Sequence, residues 1–135
     1  FHDNEPDFTP TPNDPIIIFG DHTCKMQLMI KPFSVGSNVV PFVPNDNHSA
    51  FYLYYLTREL IQTREYKRHW TPFKNKRVIL ALVTLSEQFA KIIEPFHKQK
   101  EVLLAQNQVL RQTRDLLLPK LVSGEMDVSE LGVIS

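Results

Sequence analysis

The stretch that most constrains this chain spans residues 86–118, SEQFAKIIEPFHKQKEVLLAQNQVLRQTRDLLL. Phe89, Phe96, Leu103, Leu110 and Leu117 recur in it at a seven-residue interval, and Val102, Val109 and Leu116 form a second row one position earlier. At about 3.6 residues per turn both rows share one side of a helix. At ~1.5 Å per residue that helix reaches roughly 50 Å. One small domain does not cover so long an apolar stripe, so part of it needs a partner helix. The intervening row reads Ile92, Gln99, Gln106 and Thr113. An amide-rich row weakens a helix seam, but its buried polar groups penalise wrong registers and partners. The alternative is an ordinary amphipathic helix packed on its own domain; heptads sustained over about four repeats favour helix pairing instead. Pro95 lacks an N–H and crowds the preceding turn, so the helix is expected to kink or to begin there. Thr84-Leu85-Ser86-Glu87 reads as a capping box with Thr84 as the cap.

At 135 residues the chain is one domain with an extension, or part of a domain. It begins at Phe1 without Met and without an apolar leader, which reads as a piece of a longer chain with no signal peptide. No apolar run approaches the ~20 residues of a membrane span. The single Cys24 excludes an internal disulfide and suits a reducing cytoplasm. The zero net charge hides a partition. Residues 1–21 hold five acids and no Lys or Arg, whereas residues 22–77 hold nine Lys/Arg against three acids. A basic middle between acidic ends suggests one surface facing a polyanion.

Residues 1–14 are acidic, proline-punctuated and irregular. Residues 16–19, IIIF, read as a buried strand. Gly20, Asp21 and Thr23 then form a structural turn, and residues 24–30 return as a strand. Residues 39–43 are a short strand limited by Pro41 and Pro44. Ser49 caps a helix over 50–63, and residues 78–83 read as a buried strand before the long helix. The expected class is α+β: a small mixed unit, then a coiled-coil-forming helix.

The chemistry lies in the basic run, residues 64–77, REYKRHWTPFKNKR. Its six Lys/Arg, interleaved with Tyr66 and Trp70, suit phosphate contacts; Arg and Asn also match guanine and adenine edges. A solvated charged connector is the competing reading. Asp21 and His22 are adjacent, so on a strand they face opposite sides and make a poor dyad. His22 with Cys24 offers two metal ligands, but His2, His48, His69 and His97 show no metal-site spacing, so no metal is expected. Asp46, Glu65 and Lys67 loosely mimic the acid-Glu-x-Lys set of metal-dependent nucleases, a pattern common by chance. There is no phosphate-cradling glycine loop and no serine nucleophile elbow. The residues point to a binding module without catalysis or cofactor of its own.

Three segments carry a family resemblance. Residues 18–23, IFGDHT, resemble a segment of the target-recognition domains in specificity subunits of type I restriction–modification enzymes. Tyr66-Lys67-Arg68-His69 followed by an aromatic resembles a segment late in such domains. Residues 104–121 and 123–128 resemble the conserved C-terminal helix of that family, and this is the longest of the three matches. Residues 78–85 depart from the family habit of prolines before the helix.

The resemblance implies two recognition domains in the complete subunit, each reading half of a split site in double-stranded DNA. Two long antiparallel helices set the gap between the half-sites and help dock the modification (methyltransferase) subunits. Catalysis, with S-adenosylmethionine, ATP and Mg, belongs to the partner modification and restriction subunits. On this basis residues 15–83 are expected to be the C-terminal portion of a recognition domain, and residues 84–135 a spacer helix and tail. Lys67, Arg68, Lys74, Lys76 and Arg77 are expected at phosphates, with His69 and Asn75 near bases. Phe89, Phe96, Leu103, Leu110 and Leu117 are expected to form the helix-pairing seam, through which the chain alone self-associates as a dimer. The competing functions are a purely structural coiled-coil module and a small nuclease built on Asp46, Glu65 and Lys67.

Overall fold

The structure, a computed structural model, describes residues 5–62, 65 and 67–126. Three strands, β1 (Ile16–Gly20), β2 (Met26–Met29) and β3 (Val39–Phe42), form an antiparallel sheet in the order β2-β1-β3. Three helices follow: α1 (Ala50–Thr57), α2 (Trp70–Lys74) and α3 (Val83–Val122). The class is α+β. The chain divides into two compact units, Phe1–Pro95 and Phe96–Ser135.

In the first unit the central strand carries the core. Side chains alternate across a strand, and Ile17 and Phe19, which share one face of β1, are fully buried. Ile17 packs with Leu28, Ile30, Ala50 and Phe51, joined from the start of α3 by Ala90 and Ile93. Phe19 packs with Cys24 and Phe73, joined by Trp70. Met26 and Phe42 touch both clusters, so α1 and α2 rest on successive stretches of one sheet face. Each large apolar side chain buried here contributes about 1.5–3 kcal/mol. Pro41 sits opposite Ile18 on β3, an edge strand, where its missing N–H leaves no ladder bond unmade.

The acidic N-terminal segment is irregular yet tied down. Phe8 pairs with Phe33 through two backbone hydrogen bonds and a ring stack at 5.2 Å, and the Asp7 carboxylate accepts from the Val35 N–H at 3.2 Å. α1 is shorter than expected. Ser49 caps it through the Phe51 N–H, but it ends at Thr57, and residue 63 lies outside the described residues.

Residues 78–82 are not the buried strand their composition suggests. They form no ladder, and Ile79 is 93% exposed. The segment is held at Ala81, whose N–H donates to the Tyr52 hydroxyl at 2.9 Å and whose carbonyl meets His48 Nε2 at 2.8 Å. Nor does Thr84 cap α3. The Leu82 carbonyl accepts from the N–H groups of Leu85 and Ser86, which puts Thr84 inside the first turn. α3 runs on through Pro95, and the division between the two units falls directly after that proline. From residue 102 to 125 every side chain of the second unit is exposed. No helix among the described residues is long and apolar enough to cross a membrane.

His48 is also fixed on its other side, with Nδ1 2.8 Å from Asp46 Oδ2. Both of its partners are acceptors, so only the doubly protonated ring satisfies both. The Ala81 carbonyl first, then the Asp46 carboxylate, raise the His48 pKa above its ordinary 6.5. A raised folded value means that this stabilisation is complete below 6.5 and is lost as pH rises through the raised value. The urea midpoint of the parent should therefore fall towards that of His48→Gln between about pH 6 and about pH 9. Parallel pH profiles for the two proteins would show that the bridge contributes nothing.

Candidate nucleic-acid interface

The basic run is fastened to the sheet by one carboxylate. β1 ends at Gly20, where the chain turns back with the Thr23 and Cys24 N–H groups on the Gly20 carbonyl at 3.2 and 2.9 Å. A Cβ on Gly20 would collide with Thr23 Oγ1, which itself accepts from the Lys25 N–H at 3.3 Å, so glycine is what lets the turn close. Cys24 completes it in the left-handed region at φ 54°. The turn holds Asp21 in the interior, 7% exposed.

Asp21 Oδ1 accepts from the N–H of His69 at 2.9 Å and from that of Trp70 at 2.8 Å, 48 and 49 residues further along the chain. α2 begins at Trp70, and its cap residue, His69, makes no capping bond with its own side chain. Asp21 therefore caps α2 from another part of the fold, satisfying donors that open every helix and placing a negative charge at its N-terminus. The Asp21 N–H donates to the Asn38 carbonyl at 2.8 Å, which ties in the approach to β3. The Trp70 N–H, and then that of His69, hold the Asp21 carboxyl below its ordinary 3.8 against the opposing effect of burial. The His69 N–H is shared with the Asp21 backbone carbonyl at 2.8 Å, and aromatic contacts add to the anchorage: Phe73 stacks on Phe19 at 4.6 Å, and Trp70 lies 5.5 Å from Phe42.

This anchorage sorts the cations of the run. Lys67 lies 3.2 Å from Glu65, and Arg68 Nε lies 3.8 Å from Asp21 Oδ2. Lys74, Lys76 and Arg77 are exposed and make no ion pair among the described residues. Asn75 is exposed at the C-cap of α2, whereas His69 is buried with Nε2 3.2 Å from the Glu65 carbonyl. Arg64 and Tyr66 lie outside the described residues.

The other candidate residues fall elsewhere. Asp46 lines one cavity with His48 and Glu94, while Glu65 and Lys67 line a different one, so the nuclease-like triplet is not assembled at a common pocket. Among the described residues no group of three or more His, Cys, Asp or Glu is placed to hold a metal ion. Of the seam residues, Phe89 is half-buried, with its ring near-perpendicular to those of Tyr52 and Tyr55 at 6.1 and 5.7 Å. Phe96, Leu103, Leu110 and Leu117 are exposed.

Comparison with known proteins adds one observation. The chain is 29% identical over 138 aligned residues to the type I restriction enzyme MjaIX specificity subunit of Methanocaldococcus jannaschii. The alignment covers 88% of this chain. The chain is a distant homologue of a type I restriction enzyme specificity subunit. It spans 31% of the length of that subunit. No protein-family model matches the chain, and no solved structure matches it.

The His69 N–H also donates to the Asp21 backbone carbonyl at 2.8 Å, which Asp21→Ala retains, so the substitution leaves the Trp70 N–H without its acceptor. The loss expected is about 1–3 kcal/mol of unfolding free energy. Asp21→Asn keeps an oxygen at the Oδ1 position and should lose less. Urea denaturation of the three proteins measures this, and equal midpoints for the parent and Asp21→Ala would refute the cap.

Proposed function

We propose that this chain is a DNA-recognition module of a type I restriction–modification specificity subunit, non-catalytic, acting for methyltransferase and restriction subunits that carry the chemistry. The observation that carries the reading is the homology to a specificity subunit along most of the chain. The cationic residues of α2 and its C-terminal side, a helix joined to Asp21 and stacked on Phe19, support it. In this reading residues 15–83 are recognition-domain sequence and residues 84–135 are spacer helix and tail, in a cytoplasmic assembly.

The electrostatics suit a duplex. Lysines and arginines held at phosphates release condensed counterions, which makes binding tight at low salt and weak at high salt. Lys74, Lys76 and Arg77 are the primary phosphate contacts, since their charge is not shared with an acid. Lys67 and Arg68 contribute less, because Glu65 and Asp21 already lie beside them. Asn75 approaches a base edge, and His69, buried, holds the run to the core. Phosphate contacts fix register, and base contacts carry the sequence information.

The exposed row of Phe96, Leu103, Leu110 and Leu117 favours a second role for α3 as a pairing surface, in the intact subunit with another helix and in this chain alone with a second copy. A purely structural coiled-coil module has the same row but gives no reason for an anchored cationic run.

Titration of mixed-sequence duplex DNA at two salt concentrations tests the first role. Reversing Lys74, Lys76 and Arg77 to Glu should lower the affinity and reduce the slope of log affinity against log salt by roughly 3, at about 0.9 per contact. Reversing Lys67 and Arg68 should cost less. Unchanged affinity in both variants would remove the run from the interface. For the second role, Leu103→Asp buries a charge in any seam and should shift the chain from dimer to monomer in sedimentation. An unchanged association state would remove Leu103 from the seam.

A further inference from the structure

Two cavities, of ≈410 and ≈540 Å³, adjoin on the first unit and share Glu59, Ile61 and Gln62 as lining residues. The first is bordered by Lys25, from the turn after β1, and by Arg58, the C-cap of α1. The second is bordered by Lys67 and Lys76, from the two ends of the anchored run. Half-buried Tyr54 and Ile61 supply apolar lining. Four cations from three separate parts of the chain thus flank one continuous depression, and only two of them belong to the basic run. Its two acids are already occupied: Glu59 lies 3.2 Å from Arg58 and Glu65 lies 3.2 Å from Lys67. Exposed pairs of this kind are worth little, so a phosphate competes for either cation.

Gln62 stands where the two cavities meet. It is exposed, and its amide makes no hydrogen bond among the described residues. A side-chain amide carries a donor and an acceptor side by side, the pattern that matches adenine N7 and N6–H₂ in the major groove.

We propose that the DNA-reading surface is a groove centred on Gln62, with Lys25 and Arg58 holding phosphates on one side, Lys67 and Lys76 holding them on the other, and the Gln62 amide reading a base edge. The inference rests on the DNA-recognition reading and extends it to residues outside the basic run. It also accounts for the anchorage of that run: fixing α2 to the end of β1 keeps Lys76 on a cavity that shares Glu59, Ile61 and Gln62 with the one Lys25 borders.

The test uses the full chain and two probes, a mixed-sequence duplex at two salt concentrations and a random-sequence duplex pool for selection. Lys25→Gln with Arg58→Gln should weaken duplex binding about tenfold and lower the salt slope by roughly 2. Arg58→Lys, which keeps the charge, should retain near-parental affinity. Gln62→Ala should leave the slope unchanged but lower the preference for the favoured base at one position by at least about fivefold. Denaturation midpoints confirm that each variant is folded; if the double variant is not, Lys25→Gln alone should lower the slope by about 1. Parental affinity and slope in the Lys25/Arg58 variant, beside weakened binding after reversal of Lys74, Lys76 and Arg77, would overturn the groove and leave the DNA reading standing. An unaltered selected sequence in Gln62→Ala would overturn the assignment of Gln62. Absence of duplex binding by the parent would overturn the DNA reading and this inference together.

Discussion

Everything in the first unit that bears on function hangs on a buried carboxylate. Asp21 receives the N–H groups of both His69 and Trp70 on one oxygen while its own N–H reaches the Asn38 carbonyl, so three distant stretches meet at one residue. A short helix such as α2 has little stability of its own, because nucleating a helical turn is unfavourable. Its cap and its two aromatic residues supply what the helix lacks. Without the carboxylate, α2 would keep the bond from the His69 N–H to the Asp21 backbone carbonyl and its aromatic contacts but lose its N-terminal cap.

The aromatic contacts and the cap depend on each other. Trp70 and Phe73, three residues apart, both meet Phe42 on one side of a helical turn, which requires the helical backbone that Asp21 starts. In return, the stack of Phe73 on Phe19 holds α2 against the sheet face at the end of which Asp21 lies. A buried anion is stable only when its lone pairs are met by donors, and here two backbone N–H groups meet them. Function and core stability therefore share residues, and substitutions at Phe19 or Asp21 act on both.

Much of this was legible in the sequence, for reasons that differ by element. The IIIF run and the glycine turn after it marked β1 and its end, because an apolar run closed by Gly-Asp has few other solutions. The heptad of residues 89–117 marked the long helix. Residues 78–82 misled. An apolar stretch without a charge resembles a buried strand, but only Ala81 is held, by Tyr52 and His48, and composition cannot show which backbone groups find partners. Thr84 misled in a similar way, since Leu82, two residues earlier, supplies the first carbonyl of α3. Asp21 was readable as a turn residue but not as the cap of α2, because the two are joined only by tertiary structure. Lys25, Arg58 and Gln62 were invisible as a set. Lys25 lies 33 residues before Arg58, and only packing of α1 against the β1–β2 hairpin brings it to one depression with Arg58 and Gln62.

The second unit poses the opposite problem, an element stable in pattern but short of contacts. The 27 residues from Phe96 to Val122 make a helix of about 40 Å. Its large apolar side chains stand in water: Phe96 and Leu110 are each 65% exposed. Most helical stability in proteins comes from burying one face, not from propensity, and among the described residues nothing covers this face of α3. The polar members of its heptad restrict what could cover it. Gln99, Gln106 and Thr113 must find hydrogen-bond partners or lie at the rim of a seam, and a slip that is not a whole heptad would set them against leucines. A partner that matches only in one register also fixes distance along the helix axis, since each heptad advances about 10 Å. The polar residues that would weaken a seam would thus also select among the helices able to form one.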